Sequence, residues 1–162
     1  MASRLNDDLV VNGRVIPDAI SYPPGSIQDD AVAAGADIDA EKLQHFHQPI
    51  YGQANTAAVD ETRILHVARE PGVVEEFVAG SIAKAVGDAT CTVDLRKNGT
   101  TVLTAVITLD SGNTNRVPEA GTLIADPSYV VGDVFEVVID GTIGTGTLPT
   151  GVFCCAKFRE DG

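Results

Sequence analysis

Tryptophan is absent from this 162-residue chain, aromatic residues make up only 5% of it, and a single methionine occurs. A surface that binds sugars by ring stacking is therefore poorly supplied. Cations are scarce too: 11 lysines and arginines stand against 23 acids, for a formal net charge of −12. That balance excludes nucleic acid as the main partner, because phosphate binding needs clustered Lys and Arg. It favours solubility and says little about fold. Long apolar runs are missing as well. Spanning a bilayer takes about 18 or more consecutive apolar residues, so no membrane partner is expected. The start of the chain, Met1-Ala2-Ser3-Arg4-Leu5-Asn6-Asp7-Asp8, lacks the apolar stretch of a signal peptide. The expectation is a chain that folds in the cytosol where it is made.

Cysteine is sparse and odd in number. Cys91, Cys154 and Cys155 are read as reduced residues that behave as small apolar side chains, with Cys154 and Cys155 on opposite faces if they share a strand. A Cys91–Cys154 bridge is an alternative that sequence leaves open.

What is present is a globular balance, 44% hydrophobic and 21% charged, in a length that suits one domain of roughly 100–150 residues plus an extension. Composition changes near residue 62. Residues 1–62 hold ten acids against three bases, contain Pro17, Pro23, Pro24 and Pro49, and have almost no alternating apolar pattern. They read as an N-terminal arm, and residues 63–162 as a compact body.

In the arm, Asn12-Gly13 is a turn signal between Leu9-Val10-Val11 and Val15-Ile16. Tyr22-Pro23-Pro24-Gly25 forbids helix. Ser26 followed by Asp29 has the spacing of a helix cap, Gly35 supplies a stop, and Asp37 to Leu43 repeats the device. Two short helices are expected, with an apolar face too small to stand alone in water. The arm therefore needs a surface to lie on. Phe46 and Tyr51 are read as its anchors, on a neighbouring chain or on the body.

The body alternates as strands do. Cys91, Val93 and Leu95 interleave with Thr92, Asp94 and Arg96, Asn98-Gly99 supplies a tight hairpin turn, and Val102 to Leu109 is the return. Arg63–Ala68, Val73–Ile82, Val134–Ile139 and Val152–Phe158 are further strands, with Leu123-Ile124 and Tyr129-Val130-Val131 as weaker ones. Roughly six to eight short strands in about 100 residues, with no helical run between them, point to an antiparallel β-sandwich or jelly roll and away from a βαβ fold. The fold class expected is mainly β, with an extended arm carrying short helices.

Short matches to catalytic patterns lack their context. Ser81-Ile82-Ala83-Lys84 has neither a helix nor a later Lys-Thr-Gly, and Gly141-Thr142-Ile143-Gly144-Thr145-Gly146 is followed by no Lys-Ser/Thr and no helix, so it reads as a β-loop. Glu75 and Glu76 are adjacent and are expected on opposite sides of a strand, which does not suit a glycosidase cleft. No enzyme is expected. His45-Phe46-His47 would offer two imidazoles on one face of an extended segment, too few for a closed metal site; three copies around a three-fold axis would offer six. The reading adopted is a packed, hydrogen-bonded pair, with no metal and no cofactor.

Several segments together resemble bacteriophage virion structural proteins, specifically small capsid decoration (cement) and head-fibre-like proteins. They are Gly25-Ser26-Ile27 through Asp37-Ile38 to Lys42-Leu43-Gln44-His45, Thr92 through Thr100 with Thr108-Leu109-Asp110, Glu119-Ala120-Gly121-Thr122, Val131-Gly132-Asp133-Val134, and Gly144 to Thr147 with Gly151-Val152-Phe153. The resemblance implies a β-sandwich that assembles as a homotrimer and binds the major capsid protein on the outer surface of the virion, after synthesis in the host cytoplasm. It implies contacts with the shell or between protomers through Ile27, Val32, Leu43, His45, Phe46, His47 and Tyr51. The alternative is a tail or fibre component that binds a host receptor.

Overall fold

In a computed structural model, the structure describes residues 9–11, 14–16 and 44–161. The chain divides into two compact units, Met1–Ile38 and Asp39–Gly162. In the first, β1 (Leu9–Val11) and β2 (Arg14–Ile16) pair antiparallel, with Val11 opposite Arg14. The Asn12-Gly13 turn, the Tyr22–Gly25 break, both expected helices, and Ile27, Val32 and Leu43 lie outside the described residues.

The second unit is mainly β, with two antiparallel sheets and no helix among the described residues. Its strands are β3 (Gln44–His47), β4 (Ile50–Gly52), β5 (Glu61–Val67), β6 (Gly72–Ala83), β7 (Thr90–Lys97), β8 (Thr100–Thr101), β9 (Ile107–Leu109), β10 (Glu119–Ala120), β11 (Ser128–Tyr129), β12 (Val134–Thr142) and β13 (Thr150–Asp161). One sheet runs β10-β6-β13-β3, with β11 also on β6 and β4 also on β13; the other runs β5-β12-β7-β8, with β9 also on β7. β3 and β4, which fall within the segment expected as the arm, each lie along β13.

The inner faces share one core. From the first sheet come Val74, Phe77, Val152, Cys154, Ala156 and Phe158; from the second come Cys91, Val93, Leu95, Phe135, Val137 and Ile139, all fully buried. This is the period-two pattern of strands with one face turned inward. Rings from four strands meet at one end of it. Phe135 and Phe158 cross between the sheets with centroids 4.7 Å apart, Tyr129 is edge-on to both, and His66 stacks on Phe158 at 4.5 Å.

Two irregularities adjust the pattern. On β6 the pairing skips a residue: Lys157 lies opposite Glu76 and Phe158 opposite Val74. This bulge lets Val74 and Phe77 both face the core and turns Glu75 and Glu76 together away from it. The opposed placement expected for the two acids is thereby corrected. On β5, Phe135 is opposite His66 and Glu136 opposite Ile64, leaving Leu65 as the extra residue.

The Asn98-Gly99 hairpin forms with both residues at positive φ, 50° and 82°. Asn98 also ties the turn to β12: its Nδ2 donates to Asp133 at 2.7 Å and its Oδ1 accepts from the Val134 N–H at 2.9 Å. The return strand is broken, unlike the continuous run expected. An unbroken hairpin would set Thr104 opposite Val93, but Ile107 stands there, so three extra residues loop out. Asp94 accepts from the Thr101 hydroxyl and the Arg96 guanidinium, which fixes the point where the break begins. Leu103 and Val102 are buried by it. Leu123 makes only a bridge to Leu103, and Val130 and Val131 run exposed past the end of β11.

All three cysteines are free; Cys91 and Cys154 are buried and Cys155 is half-buried on the other face of β13. Burial pushes the Cys91 and Cys154 thiols up to about 12 and raises that of Cys155. Thiolates are the reactive form. Under native conditions at pH 8, mass spectrometry after brief iodoacetamide treatment should find Cys155 alkylated first and Cys91 and Cys154 protected. Replacing Phe158 by Ala removes the ring on which the two sheets meet and should cost about 3–5 kcal/mol in chemical denaturation.

Candidate functional site

The expected contact residues that fall among the described ones gather on one margin of the body. β3 and β4 form the edge of the first sheet and β5 the edge of the second. The alternation of β3 sorts its side chains. His45 lies opposite Glu160 and His47 opposite Phe158, on the inner face, while Phe46 lies opposite Arg159 on the outer face. Tyr51 lies opposite the buried Cys154 and packs on the core. Ile50 is opposite Cys155 and is 75% exposed.

On the outer face, Lys157 holds its ammonium 4.5 Å from the centre of the Phe46 ring and pairs with Glu75 at 2.8 Å. Arg159 reaches the same carboxylate at 3.4 Å. The bulge that turns Glu75 outward is what brings it to these two cations. Phe46 is thus a half-exposed ring held by a cation of its own sheet, with its remaining surface open.

The inner side of this margin carries two polar clusters that bridge the sheets. In the first, Tyr51 donates its hydroxyl to Glu61, Gln53 donates to Glu61 at 2.8 Å and to the Val59 carbonyl at 2.6 Å, and Arg63 donates to Glu61 at 2.9 Å. Three donors on one carboxylate hold it below the usual range, with the Tyr51 hydrogen bond the largest cause. Burial, followed by the hydrogen bond and charge of Glu61, raises the Tyr51 phenol. A shallow groove of about 290 Å³ opens here, lined by Tyr51, Gln53, Thr56, Val59 and Glu61.

In the second cluster, His47 Nε2 lies 2.9 Å from one oxygen of Glu160, and His66 Nε2 lies 3.5 Å from the other. The Glu160 side chain is only 8% exposed. The facing atoms, His66 Nε2 and Glu160 Oε1, are buried without a hydrogen-bond partner. Burial lowers the readiness of His66 to take up a proton; Glu160 opposes this and His47 adds to it. His47 and His66 thus engage the two oxygens of one carboxylate, and His45 lies in register with the same residue. Among the described residues, no group of three or more His, Cys, Asp or Glu side chains is arranged to hold a metal ion.

Sequence reasoning placed His45 and His47 on one face but missed their partners. Glu160 lies beyond the point where the last strand was expected to end, and His66 was read only as part of a strand. The signal was available in principle. Arg159-Glu160 continues the alternation of Val152 to Phe158, which puts a carboxylate on the inner face.

Replacing Tyr51 by Phe should remove the hydroxyl from Glu61 and cost about 1–2 kcal/mol in chemical denaturation at pH 7. The Glu61 carboxyl, lowered in the fold, contributes stability that is present above its ordinary value near 4.5 and is lost as pH falls below it. The difference between the parent and the Tyr51→Phe protein should therefore shrink on going from pH 7 to pH 3. Compared with known proteins, the chain matches no family model and no curated protein.

Proposed function

We propose that this chain is a bacteriophage virion structural protein: a capsid decoration protein that binds the major capsid protein on the outer surface of the shell as a homotrimer. The observation that carries the reading is architectural. A mainly β body of two antiparallel sheets, read as a β-sandwich of jelly-roll or related topology, is accompanied by a separate N-terminal unit, Met1–Ile38. Large apolar side chains on the edge strands add support: Ile50 and Ile64 are 75% and 70% exposed, and exposed apolar groups of this kind mark surfaces that associate. In this reading the protein binds assembled lattice rather than free subunits. Binding then stabilises the shell in proportion to occupancy, by mass action. Contacts are assigned to Ile27, Val32, Leu43, His45, Phe46, His47 and Tyr51. Of these, Tyr51 is already occupied with its own core, so Phe46 is the most available ring.

A second reading, a tail or fibre component that binds a host receptor, is favoured by one observation. The loop between β12 and β13 is held in shape: the Thr145 N–H and hydroxyl donate to Asp88 at 2.7 and 3.0 Å, and just before the loop, within β12, the Gly141 N–H donates to Asp60 at 2.7 Å. Ile143 projects from it, 58% exposed. An ordered loop with an apolar tip suits recognition.

The test is co-sedimentation with capsids stripped of the protein, comparing the full chain with residues 39–162. Circular dichroism first checks that the shorter chain keeps its β signal. The expected result is saturable binding by the full chain and at least tenfold weaker binding by the shorter one. Absence of binding by either would overturn the decoration reading and move the assay to host cells. Equal binding by both would remove the N-terminal unit from the contact.

A further inference from the structure

We propose that His66, His47 and Glu160 form a proton-operated clasp between the edge strands β3 and β5: the margin is closed while His66 is unprotonated, and proton uptake at His66 releases β3. The inference rests on the geometry of the cluster and holds whether or not the chain coats a virion.

β3 is built to open by itself. It pairs with a single neighbour over four residues, from Gln44 opposite Asp161 to His47 opposite Phe158. β13 loses little when it leaves, because its other side stays paired with β6 from Thr150 to Glu160. His45, Phe46 and His47 are exposed, so β3 adds little apolar burial. Short edge segments of this kind occupy the low end of the range of local opening free energies. What ties β3 to the second sheet is the contact of His47 with Glu160 and, through that carboxylate, with His66.

The groups facing His66 decide the sign. From β13 come Glu160, one oxygen of which is already engaged by His47, and the Phe158 ring, which lies flat against the imidazole. From β3 come His47, with ring centroids 5.6 Å apart, and His45 in register with Glu160. From β12 comes the Phe135 ring at 6.2 Å, and from β11 the edge of Tyr129 at 6.4 Å, whose hydroxyl donates to the Arg159 carbonyl. The side-chain cations of this region, Lys157 and Arg159, pair with Glu75 on the opposite face of the sheet. A proton on His66 therefore meets one carboxylate, shared with another imidazole, inside a wall of aromatic rings. Opening β3 takes His47 away from Glu160 and His66 and opens to water the side of the pair that it covers, where a protonated imidazole is better solvated.

The direction follows from linkage. His66 is depressed in the closed form, mainly by burial, so the open form binds the proton more readily. Closure is then fully favoured above the ordinary imidazole value near 6.5 and weakens as pH falls below it. One linked proton changes the opening equilibrium by at most about tenfold per pH unit.

The test is amide hydrogen exchange of the full chain between pH 7.5 and pH 5.5, corrected for the intrinsic rate. Protection over residues 44–47 should fall about three- to tenfold, while residues 77–79 and 154–156, where β6 and β13 pair, should change less than twofold. In His66→Phe, which keeps a ring against Phe158 but cannot take up a proton, the pH dependence at β3 should vanish. Direct titration of the imidazoles by NMR in the unaltered protein provides a reading that does not depend on the variant folding, and His66 should titrate below 6.5. A flat response at β3, a loss of protection shared equally by β6 and β13, the same fall persisting in His66→Phe, or His66 titrating at or above 6.5 would each overturn the clasp.

Discussion

The body depends on the two-sided use of β13. Its inner residues Val152, Cys154, Ala156 and Phe158 fill the core, its backbone pairs with β6 along one side and with β4 and β3 along the other, and its Phe158 ring meets Phe135 of the opposite sheet. Burying one Phe side chain is worth roughly 1.5–3 kcal/mol relative to leaving it exposed, more than any surface ion pair on the molecule is expected to supply. The strand order follows from this. With β13 central, the short segments β3 and β4 can be edge strands without cores of their own, because each needs only one neighbour and one strip of buried surface.

The bulge on β6 answers a local demand of its sequence. The β6 sequence Val74-Glu75-Glu76-Phe77 puts two acids between two core residues, and strict alternation would send one acid inward. A buried unpaired carboxylate costs far more than an irregular ladder, so the pairing skips a residue and both acids face outward. One of them then finds Lys157 and Arg159. The irregularity thereby produces the charge cluster that holds Phe46 in place.

Legibility divides along physical lines. The long strands were readable because burial imposes period two on them: Cys91-Val93-Leu95, Val134 to Ile139 and Val152 to Phe158 appear where that pattern runs. The Asn98-Gly99 turn was readable because its backbone demands residues that tolerate positive φ. β3 and β4 were not. Gln44-His45-Phe46-His47 and Ile50-Tyr51-Gly52 carry too few apolar side chains to announce a face, and their pairing is set by β13 more than a hundred residues later in the chain. The break after Thr101 was hidden for a related reason. Val102 to Leu109 is rich in β-formers throughout, and only the Asp94 contact with Thr101 and the burial of Leu103 pull three residues out of the ladder. The site followed the same rule: the histidine spacing was local, whereas Glu160 and His66 arrive from other strands.

Two sheets that share one core have margins where that core would otherwise meet water, and apolar side chains are the usual seal. Here one margin is sealed instead by Tyr51, Gln53, Arg63 and Glu61 near one end and by His47, His66 and Glu160 near the other. Ion pairs and hydrogen bonds are poor sources of net stability compared with apolar packing of the same volume, but removing a partner is costly. They also specify partners more narrowly, since a strand shifted by one residue would present Phe46 to Glu160 and His47 to solvent. The β3 register is therefore defined by polar chemistry where apolar burial is too small to define it. The same choice leaves the margin sensitive to protons, because an imidazole is the one side chain whose ordinary titration lies close to neutral pH. Register and pH response at β3 then have a common origin: a short strand with little to bury is held by groups whose charge can change.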